Sequence, residues 1–375
     1  MFDVLLSVAV AFTITFFAIP AIMTVAERKK LFDVPDERKI HQAPIPSLGG
    51  LGIFAGFILA CLMTIPFQIS HEFQFFFAAA TVIFFLGLKD DILVISPIKK
   101  FIGQVVAAFL IIYKSGIQIK SMHGFMGLHE LPEMFSLLLT YFTVIVIINS
   151  FNLIDGIDGL AGSLGIMACS LFGFYFLQVG YISYSILAFS MAGSVLAFLI
   201  FNFPPAKIFM GDTGSMLIGM VVSILVVKFI DISQTQGISM PINASPAIGF
   251  TILMIPLLDT LRVFAIRIFY RRSPFSPDRN HVHHLLLDKG LSHKLITGIL
   301  VAVNLLFIAI AYSLRNTVGC TWLIIAIVGI FFSGIGALYI SRPTPRLFVA
   351  RDEESEQSTT KIVSLTKDNI LEHKN

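Results

Sequence analysis

Long apolar segments recur from one end of this chain to the other, and they constrain its fold more than any other feature. About eleven windows of roughly 15 to 22 apolar residues are long enough to cross a bilayer as helices. Charged residues make up only 13% of the 375 residues, and soluble domains carry about 25%. We therefore predict an all-α, polytopic integral membrane protein. The predicted spans are 3–26, 47–69, 73–88, 101–113, 135–151, 160–178, 183–203, 213–230, 245–266, 295–314 and 321–340.

The positions of Lys and Arg predict which side of the membrane each connection faces. Cytoplasmic connections carry an excess of these residues. Most of them follow odd-numbered spans or lie in the C-terminal segment, and the other side holds only Lys114, Lys120 and Arg315. We therefore expect the N-terminus outside and the C-terminus in the cytoplasm. Residues 1–340 are predicted to form one transmembrane domain, and the polar segment 341–375 a disordered cytoplasmic tail.

Composition also excludes several classes of protein. The net charge is +3, and no basic stripe with interleaved aromatic residues indicates a nucleic-acid partner. Cys61, Cys169 and Cys320 are scattered through apolar segments, so they form neither a metal-binding spacing nor a disulfide framework. The first apolar segment lacks a basic leader and a small-residue cleavage site, which predicts a retained helix rather than a signal peptide.

A stretch rich in Asp and Gly, residues 152–162, directly follows the fifth predicted span. Charge at a membrane boundary is expensive unless something compensates it, so carboxylates there usually serve a site. Asp155 and Asp158 would share a face on a helical turn, with Asn152 three residues before them. We expect the three side chains to converge on one ligand, and the glycines to let the backbone or a ligand approach closely. The alternative is a simple turn between two helices.

Two adjacent carboxylates, Asp90 and Asp91, end the third predicted span. Such neighbours raise each other's pKa unless a divalent metal or a lysine keeps both ionised. Lys100 could anchor a phosphate, or could with Lys99 simply mark the cytoplasmic end of a span. A solvated helix end is the alternative for the Asp pair.

Residues 207–215 place a carboxylate, Asp212, between glycines at the start of the eighth span. Asp212 could be a metal ligand, or it could cap the helix N-terminus. Phe209 offers a flat surface to a base or a ring.

A basic loop between the ninth and tenth spans contains three histidines in four residues. These are His281, His283 and His284. No cysteine accompanies them and the spacing is not that of a helical zinc motif, so an anion grip or an acid–base role beside Arg279 fits better than zinc. Asp259 and Arg262 are expected to form a buried ion pair that orients helices and has no part in the chemistry.

On the predicted topology, all these polar groups lie on one side of the membrane. Carboxylates in such number would repel a phosphorylated ligand unless Mg²⁺ lay between them, because Mg²⁺ combines one or two carboxylates with substrate oxygens. Phosphoryl transfer depends mainly on positioning and charge neutralisation, which these residue types can supply.

Five motifs, in this order, closely resemble those of the polyprenyl-phosphate N-acetylhexosamine-1-phosphate transferase family, of the glycosyltransferase family 4 type. The motifs are Arg38-Lys39-Ile40-His41 with Pro46-Ser47-Leu48-Gly49-Gly50, then Asp90-Asp91, Asn152 to Gly159, Phe209 to Ser215, and His281-Val282-His283-His284. The resemblance implies transfer of a sugar 1-phosphate from a UDP-N-acetylhexosamine to undecaprenyl phosphate in the bacterial cytoplasmic membrane. It implies a requirement for Mg²⁺, or Mn²⁺ in its place, and an active site facing the cytoplasm. Either the lipid phosphate attacks directly or an Asp is transiently phosphorylated; we favour direct attack, because both substrates can reach one cytoplasmic site and no second step is needed.

The resemblance also assigns roles to residues. Asp212 would bind the metal, helped by Asn152, and Asp90 or Asp91 would deprotonate or orient the acceptor phosphate. Phe209 would stack on uracil. Asp155 and Asp158 would shape the nucleotide pocket and belong to the catalytic group, and Lys100 would hold phosphate. His41 would bind substrate. The sugar-phosphate end of the donor would be bound by Arg279, His281, His283 and His284.

The interrupted His-Val-His-His and Ile45-Pro46-Ser47-Leu48-Gly49-Gly50 resemble the branch that starts O-antigen, enterobacterial common antigen or teichoic acid from UDP-GlcNAc. The muramoyl-pentapeptide transferase branch is the alternative within the family. A membrane transporter or channel and a CDP-alcohol phosphotransferase are the alternatives outside it, although Asp158-Gly159-Leu160-Ala161-Gly162 lacks the Arg of the latter. A homodimer is left open.

Overall fold

The computed structural model describes residues 1–31, 45–271 and 281–341, and this part of the chain is almost entirely helical. The α-helices are α1 (Phe2–Lys29), α2 (Gly49–Thr64), α3 (Glu72–Ile92), α4 (Pro97–Phe109), α5 (Glu133–Ile154), α6 (Leu160–Gln178), α7 (Ile182–Asn202), α8 (Gly211–Ile232), α9 (Ser245–Ile252), α10 (Met254–Phe269), α11 (Val282–Leu287), α12 (His293–Leu314) and α13 (Cys320–Ile340). A π-helical turn, Leu110–Lys114, extends α4. A small antiparallel hairpin joins β1 (Ser121–Phe125) to β2 (Leu128–Glu130).

The helical membrane fold is confirmed. Each predicted span coincides with a helix or, for the ninth, with two. Seven helices of the described ranges are long and apolar enough to cross a membrane, namely α1, α5, α6, α7, α8, α12 and α13, and α2 is a shorter apolar helix. The count of eleven crossings and their orientation remain predictions. The predicted tail lies outside the described residues from 342 onward.

The ninth span, predicted as one helix over 245–266, is broken at Leu253 between α9 and α10. The sequence cause is Pro256, which has no N–H and whose ring clashes with the carbonyl four residues earlier. Buried Asn304 of α12 compensates: its side-chain nitrogen donates to the carbonyls of Thr251 and Ile252, each at 3.2 Å, and its oxygen accepts the Ile255 N–H at 3.3 Å. Backbone groups freed at membrane depth need such internal partners.

Helix α8 is the centre of the bundle, buried along most of its length and in contact with α2, α3, α5, α6 and α7. Glycines let its first turn approach α2 and α3 closely. A Cβ at Gly50 would lie 2.3 Å from the Gly214 nitrogen, and one at Gly87 would lie 2.5 Å from the Thr213 Cα. Small residues permit such close helix approach in membrane proteins. The start of α8 is therefore fixed beside the end of α3.

The β-hairpin packs at the opposite end of α8. The backbone N–H of Met126 donates to the Thr321 hydroxyl at 2.6 Å, and His123 Nε2 lies 2.8 Å from the carbonyl of Ile230. The hairpin thus ties α13 to the C-terminal end of α8, far along that helix from Asp212.

Candidate active site

Four predicted site residues from four helices meet at the first turn of α8. Lys100 of α4 bonds both Asp212 of α8 and Asp90 of α3, with its Nζ 2.9 Å from Asp90 Oδ2. Asn152 of α5 donates through Nδ2 to Asp212 Oδ1 at 2.7 Å and to the Ser215 hydroxyl at 3.0 Å. Burial alone would lower the pKa of Lys100, but the Asp212 and Asp90 carboxylates outweigh it and hold that pKa above its usual value. The cluster therefore contains a charged lysine between two carboxylates.

Asp90 and Asp91, although adjacent, have different partners. Asp91 Oδ1 accepts the Asp212 N–H at 2.7 Å, and its Oδ2 accepts the Thr213 N–H at 3.1 Å and the Thr213 hydroxyl at 2.6 Å. Asp91 thus satisfies N–H groups that the start of α8 leaves without intrahelical partners. Asp90 instead accepts the Ile95 N–H at 2.7 Å and bonds Lys100. Both oxygens of Asp91 are engaged by α8, whereas Asp90 faces the lysine.

Asp212 itself is not the helix cap that the sequence left as an alternative. The N-cap position of α8 is Met210, and Asp212 lies within the first turn. The capping carboxylate comes from α3 through Asp91. Gly211 makes this approach feasible: its φ is +70°, and a Cβ there would lie 2.7 Å from both oxygens of Asp91.

The Asp/Gly stretch is a turn, not a continued helix. Helix α5 ends at Ile154 and α6 begins at Leu160, so the expectation that Asp155 and Asp158 share a helical face is wrong. Asp158 is buried; its Oδ2 accepts the Ala206 N–H at 3.3 Å and lies 3.4 Å from His293 Nδ1. Asp158 therefore ties this turn to α12 and to the connection before α8.

The pKa of Asp155, by contrast, is raised by burial and by the other carboxylates of the site. Burial, followed by repulsion from Asp212, Asp91 and Asp158, raises its pKa to about 8. A carboxyl group in that position resists ionisation unless a cation is brought nearby. A cation brought near Asp155 would therefore lower its pKa.

The glycines of this turn make room for protein side chains. A Cβ at Gly156 would lie 2.4 Å from His283 Nε2, one at Gly159 would lie 3.0 Å from Phe203, and one at Gly162 would lie 2.7 Å from Leu199. In the described structure, protein side chains lie in the space that these three glycines leave. Close packing of the turn against α7 and against residues 281–284, hereafter the His loop, explains these glycines.

The His loop is fastened to α10 through Asp259. Arg262 Nη2 lies 2.9 Å from Asp259 Oδ1, which confirms the predicted buried ion pair. Asp259 also binds His281 Nδ1 at 2.8 Å and accepts the Val282 N–H at 2.9 Å. The sequence did not predict these two bonds to the loop.

His283 is an uncharged, buried member of this loop. Its ring stacks on His281 with centroids 5.5 Å apart and lies 4.4 Å from the ring of the half-buried His284. Burial, and next the neighbouring His284, lower the pKa of His283 to about 3. His283 is therefore neutral at physiological pH in this environment, which does not suit a cationic grip; its contact with substrate stays a prediction.

Two further motifs of the resemblance meet at Phe209. The Phe209 N–H donates to the Pro46 carbonyl at 2.8 Å, and its carbonyl accepts the Gly49 N–H at 2.9 Å. The ring is half-buried in the connection before α8. Its stacking on uracil stays a prediction. The Arg38-to-His41 motif and Arg279 lie outside the described residues.

Asn202 is a structural residue of the site that sequence reasoning missed. Its Oδ1 accepts the Gly159 N–H and its Nδ2 donates to the Ile208 carbonyl, both at 2.9 Å. It thereby joins the Asp/Gly turn to the segment carrying Phe209. The signal available was an amide ending an apolar span two residues before Pro204-Pro205.

Comparison with known proteins identifies the family of this chain. Residues 73–230 match the model of glycosyl transferase family 4. The chain is 33% identical over 275 residues to undecaprenyl-phosphate alpha-N-acetylglucosaminyl 1-phosphate transferase of Yersinia pestis, covering 72% of this chain and 73% of the relative. The chain belongs to glycosyl transferase family 4.

Other relatives of this family 4 protein extend the match. It is 31% identical over 337 residues to the probable undecaprenyl-phosphate N-acetylglucosaminyl 1-phosphate transferase of Bacillus subtilis, covering 87% of this chain and 90% of the relative. It is 32% identical over 303 residues to decaprenyl-phosphate N-acetylglucosaminephosphotransferase of Mycobacterium leprae, covering 75% and 76%. The resemblance predicted from the five motifs is confirmed.

The side chains of the described residues determine whether this site could hold Mg²⁺. Within ranges 1–31, 45–271 and 281–341, no three His, Cys, Asp or Glu side chains are arranged as a preformed metal cage. Mg²⁺ does not need one, because it combines one or two carboxylates with waters and substrate phosphate oxygens. Asn152 Nδ2 lies 2.7 Å from Asp212 Oδ1, and Lys100 joins Asp212 to Asp90. The side-chain oxygens of Asp212 and Asn152 are therefore of the kind that Mg²⁺ binds.

Proposed function

We propose that this family 4 protein transfers N-acetylhexosamine 1-phosphate from a UDP-sugar to undecaprenyl phosphate, with GlcNAc 1-phosphate as the transferred group. The products are the lipid-pyrophosphoryl sugar and UMP. The observation that carries the proposal is the convergence of Asp212, Asn152, Asp90 and Lys100 at the first turn of α8. The named activities of the Yersinia, Bacillus and Mycobacterium relatives support the same reaction.

In the proposed reaction, an oxygen of the lipid phosphate attacks the β-phosphorus of the UDP-sugar. The new P–O bond forms as the bond from that phosphorus to the oxygen bridging to the α-phosphate breaks, and UMP leaves with the bridging oxygen. Asp90 orients the acceptor phosphate, since Asp91 is fully engaged by α8. Lys100 neutralises phosphate charge. Positioning and charge neutralisation provide most of the catalysis in phosphoryl transfer.

Mg²⁺, or Mn²⁺ in its place, is proposed as the cofactor, held by Asp212 and by the side-chain oxygen of Asn152. That oxygen is the atom left for a ligand, because the Asn152 nitrogen bonds Asp212 and Ser215. When bound, the ion neutralises the negative charge of the carboxylates and diphosphate. The raised pKa of Asp155 supports a cation here, because charge compensation would let that carboxyl group ionise.

We also propose that the site faces the cytoplasm of a bacterial inner membrane. The support is the position of Lys and Arg along the chain, with Lys99 and Lys100 at the site end of α4 and Lys114 and Lys120 toward the hairpin end. A transporter would need ionisable residues at mid-depth. The middle of α8, residues 213–227, carries none.

A donor panel with purified protein tests this proposal. The reaction contains undecaprenyl phosphate and Mg²⁺, with UDP-GlcNAc, UDP-GalNAc, UDP-FucNAc or UDP-MurNAc-pentapeptide, and released UMP is measured. We expect UDP-GlcNAc to give the highest rate, and none without the lipid. The highest rate with UDP-MurNAc-pentapeptide would select the muramoyl-pentapeptide branch, and no UMP from any donor would reject the enzyme assignment.

A further inference from the structure

A network of buried polar groups joins α10, α11 and α13 beside the site. At its centre Asp259 is 0% exposed, and it has three partners on two sides. Arg262 approaches from its own helix at 2.9 Å, while His281 Nδ1 at 2.8 Å and the Val282 N–H at 2.9 Å approach from the His loop. An ion pair needed only to join helices would not require the last two bonds.

We propose that Asp259 is a positioning residue for the sugar-nucleotide donor: it orients His281 and fixes where α11 begins. This inference rests on the proposed function, in which the His loop binds the sugar-phosphate end of the UDP-sugar. Asp259 acts through His281 and α11.

The first step of the argument concerns α11, which spans only the six residues Val282–Leu287. So short a helix does not hold its place by its own hydrogen bonds. No side chain caps its start at His281. The Val282 N–H, an orphan donor of the first turn, is satisfied by Asp259 from another helix. Asp259 therefore supplies the cap that the sequence of α11 lacks.

The second step concerns the ring of His281. Its Nδ1 is held by the Asp259 carboxylate at 2.8 Å, so Nε2 is the ring nitrogen left for a ligand. A carboxylate bonded to one nitrogen of an imidazole fixes the ring orientation that the other nitrogen uses, as in metal and triad sites. Losing Asp259 would free this ring to rotate.

The third step connects the loop to the site. His283, two residues after His281, packs on Gly156, where a Cβ would meet its Nε2 at 2.4 Å. Gly156 directly follows Asp155, whose pKa shift reports the Asp212 and Asp91 carboxylates nearby. A shift of α11 would therefore reach the Asp/Gly turn. The effect would fall on the donor side of the reaction.

The network also provides a matched control. Arg262 Nη1 donates to the Tyr339 hydroxyl at 3.2 Å, which connects α10 to α13. Tyr339→Phe removes this outer bond and keeps the ring. If the network only joined helices, Tyr339→Phe and Asp259→Asn would change the same properties.

Asp259→Asn is the decisive variant. An amide presents one acceptor oxygen where Asp259 offers two, so His281 Nδ1–H loses its acceptor, or Nδ1 accepts the amide N–H and the ring proton moves to Nε2. We expect the KM for UDP-GlcNAc to rise about tenfold with the KM for undecaprenyl phosphate unchanged, and Tyr339→Phe to change neither. His281→Gln, which loses Nδ1–H, should raise the donor KM similarly, and the double variant should be no worse than the worse single one.

Other outcomes would overturn the proposal. These are equal rises in both KM values, a fall confined to kcat that matches the loss of folded protein, or additive effects of Asp259→Asn and His281→Gln. Should Asp259→Asn yield no folded protein because the buried Arg262 loses its carboxylate, the D259N/R262Q pair removes that charge as well and is measured by the same criteria. UMP release by the unaltered enzyme is established first, so failure of the proposed function is distinguished from failure of this inference.

Discussion

The carboxylate of Asp91 caps the helix that carries Asp212, accepting the Asp212 N–H at 2.7 Å. The same carboxylate holds the Thr213 N–H and hydroxyl, so it fixes the backbone from which Asp212 projects. Asp90, one residue earlier, is directed to Lys100 instead. The Asp pair therefore divides into a residue that fixes the start of α8 and a residue that binds Lys100, and in the proposed reaction the second orients the acceptor phosphate.

Asp91→Asn and Asp90→Asn should separate stability from activity. Asp91→Asn weakens the cap of α8, and loss of a helix cap costs about 0.5 to 2 kcal/mol of stability. Its melting temperature should fall together with its activity. Asp90→Asn should nearly abolish UMP release at a melting temperature close to that of the unaltered protein. The reverse pattern would contradict the division of roles.

Gly156→Ala should damage the site through His283. The added methyl would lie 2.4 Å from His283 Nε2, so the His loop must shift away from the Asp/Gly turn. We expect a reduced rate of UMP release and a higher KM for the UDP-sugar. Gly298→Ala in α12 is the control, because a Cβ there has no neighbour within 4 Å. Unchanged kinetics in Gly156→Ala would show that the packing of His283 is irrelevant to function.

The pKa of Asp155, raised by burial to about 8 from its ordinary 3.8, predicts a pH-dependent stability difference. Below the unfolded-state pKa the carboxyl group is protonated in both states. As pH rises from there to the folded-state pKa, only the unfolded state gains by ionising, so the free energy of unfolding falls. Asp155→Asn removes this loss. In a metal-chelating buffer, the melting temperature of Asp155→Asn should exceed that of the unaltered protein. This difference in melting temperature should grow from pH 4 to pH 8. A difference that stays constant with pH would refute the raised pKa.

Phe209→Ala should weaken donor binding more than acceptor binding. The half-buried ring lies on the connection before α8, next to the Pro46–Gly50 segment. Stacking of a base on an aromatic ring is worth about 1 to 3 kcal/mol, so the KM for the UDP-sugar should rise while that for undecaprenyl phosphate does not. Equal losses for both substrates would assign Phe209 to packing alone.

Much of this architecture could be predicted from the sequence because apolar length alone locates membrane helices. The convergence of Asp212, Asn152, Asp90 and Lys100 followed from their positions at the ends of spans that the Lys and Arg distribution placed on one side. The spacing of residues along the chain predicted local structure less well. The spacing of Asp155 and Asp158 predicts a shared face on a helical turn, but α5 ends at Ile154 and α6 begins at Leu160.

The features that could not be predicted are contacts between residues far apart in sequence. Asp91 caps a helix that starts 120 residues later, and Asp158 faces His293. Similarly, Asn304 satisfies the backbone around the break at Leu253. Local propensity carries no information on which distant side chain will satisfy a freed N–H or carbonyl group. Pro256 was the one local sign of that break.

The most direct test of the account is UMP release from UDP-GlcNAc by purified unaltered protein and by Asp212→Asn, with undecaprenyl phosphate and increasing Mg²⁺. Melting temperatures of both proteins confirm folding. The account predicts lipid-dependent release that rises with Mg²⁺ for the unaltered protein, and no release at any Mg²⁺ concentration for a folded Asp212→Asn. Near-normal, Mg²⁺-dependent release by Asp212→Asn would contradict it.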